Sequence, residues 1–176
     1  MIPSFITKFK IARTNRFVAV ITPPSNLSSS SSFRDIEIEA AEIPSMSLMT
    51  TEVKYDQSPN ILIPYQRNPQ GQATLTIRLD EKHIFRKYIN EWLEKIIQIP
   101  TNPNTPYGYK KEYYNNYTGT VGIYQLNLHG KITSGVTLSN AFPINIDSLR
   151  YDWGDNDQFH RMNVTFSYLD ATNQFL

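Results

Sequence analysis

Apolar side chains recur at every second position through most of this chain. Residues 72–80 alternate most cleanly, with Ala73, Leu75, Ile77 and Leu79 pointing one way and Gln72, Thr74, Thr76, Arg78 and Asp80 the other. A period of two predicts a strand with one buried and one wet face. Residues 35–41 repeat the pattern, Ile36, Ile38 and Ala40 opposing Asp35, Glu37 and Glu39. Residues 16–21 (RFVAVI) are apolar on both faces and read as a buried strand, ended by Pro23 and Pro24 because proline lacks the ladder donor. Residues 48–55 and 60–65 are two extended runs around Asp56-Gln57-Ser58-Pro59, the pattern of a long hairpin.

After Asp80 the period lengthens. Ile84, Tyr88, Trp92 and Ile96 recur at i+4, with Phe85, Ile89 and Leu93 beside them. This predicts an amphipathic helix, with Asp80 as N-cap, Glu91 and Lys95 as an i,i+4 pair, and Pro100 and Pro103 as terminators. Alternation then returns over residues 120–128, with Tyr124, Leu126 and Leu128 on one face, and at Ile144 and Ile146. The phase slips to Leu149, Tyr151 and Trp153, as a bulge would make it do. A turn at residues 154–157 leads into a last strand, 159–168, whose inward face carries Met162, Val164, Phe166 and Tyr168. The expected fold class is mainly β with one long helix: an antiparallel barrel or sandwich whose open side the helix plugs. We expect one domain over residues 1–176, with a flexible serine-rich loop at 25–32 and a Tyr/Pro/Asn loop at 101–117.

Composition narrows the function classes. Apolar residues make up 40% of the 176 positions, enough for a sizeable core, and the formal net charge is +1. A nucleic-acid binder would carry more positive charge on one face. The eleven tyrosines and nine phenylalanines suit half-buried strands and interfaces. With no cysteine, disulfides and thiolate metal sites are excluded. The first ten residues are too interrupted for a signal peptide, and no apolar run approaches the ~18 residues of a membrane span. Folding in the cytoplasm, without a cleaved signal or a membrane anchor, is the expectation.

Catalytic chemistry finds little support. His83, His129 and His160 stand at no metal-ligand spacing, and His160 falls on the inward phase of its strand, as a buried or subunit-contact imidazole would. No G-x-S-x-G, P-loop or H-E-x-x-H motif is present. Residues 152–157 (DWGDND) have the acids of a calcium loop without its twelve-residue frame, and read as an Asx-rich turn. Asp35, Glu37 and Glu39 share a strand side as a solvated face, whereas glycosidases set two carboxylates across a cleft. Tyr107, Tyr109, Tyr113, Tyr114 and Tyr117 could stack bases, but only Lys110 and Lys111 accompany them. No cofactor is expected.

The order of several segments resembles the tail tube proteins of contractile-tailed bacteriophages. These are residues 124–130 (YQLNLHG); Asn140-Ala141-Phe142-Pro143, a loop with an aromatic–proline step; and Tyr151-Asp152-Trp153 with Phe159 to Tyr168 as a hairpin. Arg13 to Phe17 opening a strand, the step at 41–44 (AEIP), and the strand-then-helix unit 72–97 fall in the same order. The resemblance implies a structural, non-catalytic subunit. Six copies would form a ring with strands lining a lumen and the helix outside, and rings would stack by an extended hairpin. The partners it implies are further copies, tail sheath and baseplate proteins, and viral DNA that passes without specific binding. The place it implies is the virion tail, assembled in host cytoplasm. A tube–baseplate junction protein of the same fold is the alternative, and a small β-barrel nucleic-acid-binding module another. The hairpin candidates for inter-ring contact are Met46, Leu48, Met49, Val53, Ile61, Leu62, Ile63 and Tyr65, which follow Pro44 and are too apolar for an isolated exposed hairpin. Asp35, Glu37 and Glu39 are lumen candidates, since unpaired carboxylates cannot enter a core and would repel passing DNA.

Overall fold

Where alternation is strict, the backbone forms ladders. The computed structural model describes residues 12–27, 38–54, 59–67, 71–98, 109–154 and 158–175. In chain order the strands are β1 (Phe17–Thr22), β2 (Ile38–Ala41), β3 (Leu48–Val53), β4 (Ile61–Arg67) and β5 (Gly71–Arg78). Helix α1 (Ile84–Ile96), β6 (Ile97–Gln98), β7 (Lys110–Lys111) and the short α2 (Tyr114–Tyr117) follow. Last come β8 (Gly119–Leu126), β9 (Ile132–Ile146), β10 (Arg161–Tyr168) and β11 (Asp170–Phe175).

Seven strands make one antiparallel sheet in the order β1-β8-β9-β10-β5-β2, with β11 also on β9. Strand β9 serves two layers: its first half pairs with β8 and β11, its second half with β10. The turning point is Asn140, which takes a left-handed φ of 52° and is passed over in the β8 register between Ser139 and Ala141. Asparagine tolerates that region better than most residues. The layers fold toward each other, but among the described residues no ladder joins β1 to β2, so the barrel stays open. Inside lie Ala19, Ile21, Val121, Ile123, Val136 and Leu138 from one layer and Leu75, Ile77, Met162, Val164 and Phe166 from the other. Helix α1 packs onto this core with Phe85, Tyr88, Ile89, Trp92 and Ile96. Each fully buried aliphatic or aromatic side chain contributes about 1.5–3 kcal/mol by leaving water.

Several expectations need correction. Ile84 is exposed, because the buried stripe of α1 starts at Phe85 and is centred on Tyr88, Ile89 and Trp92. The N-cap position is His83, at φ 50°, while Asp80 acts from further back, its Oδ1 accepting the Ile84 N–H at 3.0 Å. In β2 a bulge between Ile38 and Ala40 turns Ala40 outward and gives the inward place to Ala41. In β8 the buried side is Val121 and Ile123; Tyr124 is half-buried, and Leu128 lies exposed in the turn after the strand. Asn140 to Pro143 is no loop but the middle of β9, and Pro143 is tolerated where β9 has β10 on one side only. The phase slip after Ile146 is not a bulge, since β9 ends there and Tyr151 and Trp153 stand in an exposed connection. The bulge falls earlier, at Ile144, which the β10 register skips. Strand β11 and the first half of β9 went unpredicted.

Of the expected loop at 101–117, residues 101–108 lie outside the described residues, as do Ser28 to Ser32 of the serine-rich loop and Asp155 to Asp157 of the expected turn. The remainder is ordered into elements. Lys110–Lys111 pairs with Ile97–Gln98. Tyr117 is buried, with its ring against Phe142 at 5.2 Å and its carbonyl accepting the Trp92 indole N–H at 2.7 Å.

Candidate assembly surface

Strands β3 and β4 pair only with each other among the described residues. Their register sets Val53 opposite Ile61, Glu52 opposite Leu62, Thr51 opposite Ile63 and Leu48 opposite Arg67. Opposed residues share a face. Met49, Val53, Ile61 and Ile63 therefore fall on one side, and Leu48, Pro64 and Leu62 on the other. Tyr65 is the residue that the bulge between Met49 and Thr50 leaves unpaired. A hairpin apolar on both faces cannot be a one-sided sheet extension, and neither face enters the core. Leu48 is 63% exposed, Leu62 65% and Tyr65 61%. Met46, Met49, Ile61 and Ile63 are exposed as well, while Val53 is half-buried.

The base of the hairpin is anchored. An Arg67 guanidinium N–H donates to the Ala171 carbonyl at 3.2 Å and another contact reaches Met46 Sδ at 3.6 Å. The Asn173 amide also reaches Met46 Sδ, at 3.0 Å. Further out, the Asn60 amide donates to Glu52. The eight residues named for inter-ring contact are thus gathered on and beside one two-stranded unit.

The acidic strand is only partly described: Asp35 and Glu37 lie outside the described residues, and Glu39 sits on β2. Glu39 is not a bare carboxylate. It accepts from Arg161 Nε at 2.6 Å, and that hydrogen bond, with the charges of Arg161 and Arg78, holds its pKa below 4.5 despite the opposing effect of desolvation. The same bond raises Arg161. The partner was invisible in the sequence because Arg161 lies 122 positions away.

His160 is half-buried and precedes β10, with its ring 5.0 Å from Tyr151 and 5.8 Å from His83. No group of three or more histidine or carboxylate residues among the described ones could hold a metal. The Asx turn expected at Asp152 is present, Oδ1 accepting the Gly154 N–H at 2.9 Å. The connection around it carries an aromatic patch that sequence alternation had assigned to strand: Tyr151 and Phe159 are exposed, and Trp153 is wholly so. The Arg78 guanidinium lies over the Phe159 ring at 4.9 Å.

Comparison with known proteins agrees with this architecture. The family model described as "Phage tail tube protein" matches residues 8–172. The fold is similar to a chain of an extracellular contractile injection system, the PVC sheath–tube complex in its extended state. The TM-score is 0.66 at 18% identity, covering 100% of this chain and 99% of the other. The cap that terminates the anti-feeding prophage tube is similar with a TM-score of 0.64 at 19% identity, covering 97% and 99%. The SPP1 tail tube gives 0.50 at 11% identity, covering 94% and 80%. Among curated proteins none matches. The chain belongs to the phage tail tube protein family, and its role is structural, that of a tail tube protein and not of an enzyme.

Proposed function

We propose that this subunit forms hexameric rings that stack into a hollow tail tube, the conduit for DNA ejection, in the virion of a phage with a contractile tail. The observation that carries the reading is the β3–β4 hairpin, apolar on both faces and held off the core. Exposed apolar area of this extent marks a partner surface, and in a tube the partner is the next ring. Met46, Leu48, Met49, Val53, Ile61, Leu62, Ile63 and Tyr65 are the proposed inter-ring residues. Asp35, Glu37 and Glu39 are the proposed lumen residues, with Glu39 balanced by Arg161. The whole chain acts as one unit, assembled in host cytoplasm, and its other partners are sheath and baseplate proteins. Likeness to a sheath–tube complex supports the sheath contact. Likeness to a tube-terminating cap and to a chain of an anti-feeding prophage baseplate supports a second reading, a position at the end of the tube or at the baseplate junction.

Negative-stain microscopy and light scattering of the purified protein test this. Rings or tubes are expected, and a sharp monomer peak at every concentration would overturn the proposal. Leu48→Glu with Ile61→Lys should abolish stacking and leave the circular dichroism spectrum of the subunit unchanged. Loss of the folded spectrum would place the hairpin in the core instead. The lumen assignment is checked in the assembled ring, where Glu39 must face the axis.

A further inference from the structure

A stack of identical rings needs two different surfaces on each subunit, one docking and one receiving. The hairpin is the first. We propose that the exposed aromatic patch between β9 and β10, formed by Tyr151, Trp153 and Phe159, is the second, and that it receives the hairpin of a copy in the adjacent ring. This inference rests on the tube reading above and names the counter-surface.

Topology places the two at opposite ends of one ladder. Strands β5 and β10 pair from Arg161 opposite Arg78 to Tyr168 opposite Gly71. The hairpin enters at the Gly71 end, and its base is fastened beyond Tyr168, at Ala171. The aromatic connection enters at the Arg161 end, where Arg78 covers Phe159. Seven residue steps separate these ends, about 24 Å at the rise of an extended strand. A protrusion at one end and a receptor at the other generate an open stack, not a closed pair.

The chemistry fits as well. Trp153 is wholly exposed, which a tryptophan without a partner seldom is. Tryptophan, tyrosine and arginine dominate binding hot spots, and Arg150 and Arg161 line the groove beside these aromatics. Two of these polar neighbours are already satisfied, Arg150 by Asp152 and Arg161 by Glu39, which leaves the aromatic rings as the contact surface. The incoming hairpin offers Leu48, Pro64 and Leu62 on one face, so apolar area meets apolar area.

The chain has no cysteine, which makes the test clean. Thr50→Cys and Gln158→Cys together, treated as assembled tubes with a short bis-maleimide, should give a ladder of linked chains on a denaturing gel. Either substitution alone should give no ladder. Trp153→Ala should raise the critical concentration for tube formation roughly tenfold or more, with the subunit's circular dichroism and melting unchanged. Tubes that form from the double-cysteine variant without cross-linking, together with wild-type-like assembly of Trp153→Ala, would overturn the docking while the tube reading survives. A wild-type protein that makes neither rings nor tubes removes the tube reading and the docking with it.

Discussion

Trp92 shows what one residue does for this fold. Its ring is fully buried, 6.1 Å from Phe166 and 6.1 Å from Tyr88, and its indole N–H satisfies the Tyr117 carbonyl. Trp92→Ala opens a large cavity and strips that carbonyl of its donor, so a loss of about 3–5 kcal/mol is expected. Urea unfolding followed by circular dichroism measures it; an unshifted midpoint would mean that the helix face is not core. Glu39 makes the contrasting case of a surface residue. Its folded pKa is depressed, so its pairing with Arg161 stabilises fully above the unfolded carboxylate value and fades as pH falls through the folded one. In Glu39→Gln the loss of stability on acidification below about pH 4.5 should be shallower than in wild type. Thermal melts across that window would show it, and the effect should be small because the pair is exposed.

At the scale of elements, two backbone positions decide how strands meet. Asn140 turns β9 from one layer to the other at a left-handed φ. Asn140→Gly should be neutral or stabilising, whereas Asn140→Val should cost about 1–2 kcal/mol, since a branched side chain resists that region. The difference in melting temperature between the two variants reads it out. Gly119 opens β8 under helix α1. A Cβ there would stand 2.3 Å from the Thr22 carbonyl oxygen and 3.1 Å from the Trp92 ring. Backbone cannot yield as a side-chain tip can, so Gly119→Ala should destabilise by at least 1–3 kcal/mol, roughly the scale of overpacking. A melting temperature equal to wild type would contradict that close approach.

For the whole molecule, the division is between a body that carries the core and an exposed hairpin that we propose carries the contact surface. The hairpin adds no buried residue to the core. Its charge variants should therefore change assembly and not folding. A formal charge of +1 leaves little to hold phosphates. Filter retention of duplex DNA by the subunit should be negligible even at low salt; retention falling steeply with salt would point to real phosphate contacts and away from a passive wall.

Much of this was readable from the chain. Period two in residues 72–80 and 161–168, and the change to a helical period at residue 84, follow from side-chain geometry alone, because a residue's face is set by its neighbours two or four positions away. The β3–β4 hairpin was readable too, from two extended runs on either side of residues 56–59. Tertiary structure decided what distance in sequence conceals. The β9 run at 132–138, with Thr133, Ser134, Gly135 and Thr137 between its apolar positions, has weak alternation; it becomes a strand because β8 and β11 pair with it from both sides. Ile84 and Ala40 face outward, although local pattern turned them in, because the core shifts the helix stripe by one residue and a bulge shifts the strand. Glu39 gains Arg161, and Tyr151, Trp153 and Phe159 become a surface patch, only once β5 and β10 are side by side. Periodicity reports which way a side chain points relative to its own backbone; what it meets there depends on loop closure between remote segments, which no local pattern encodes.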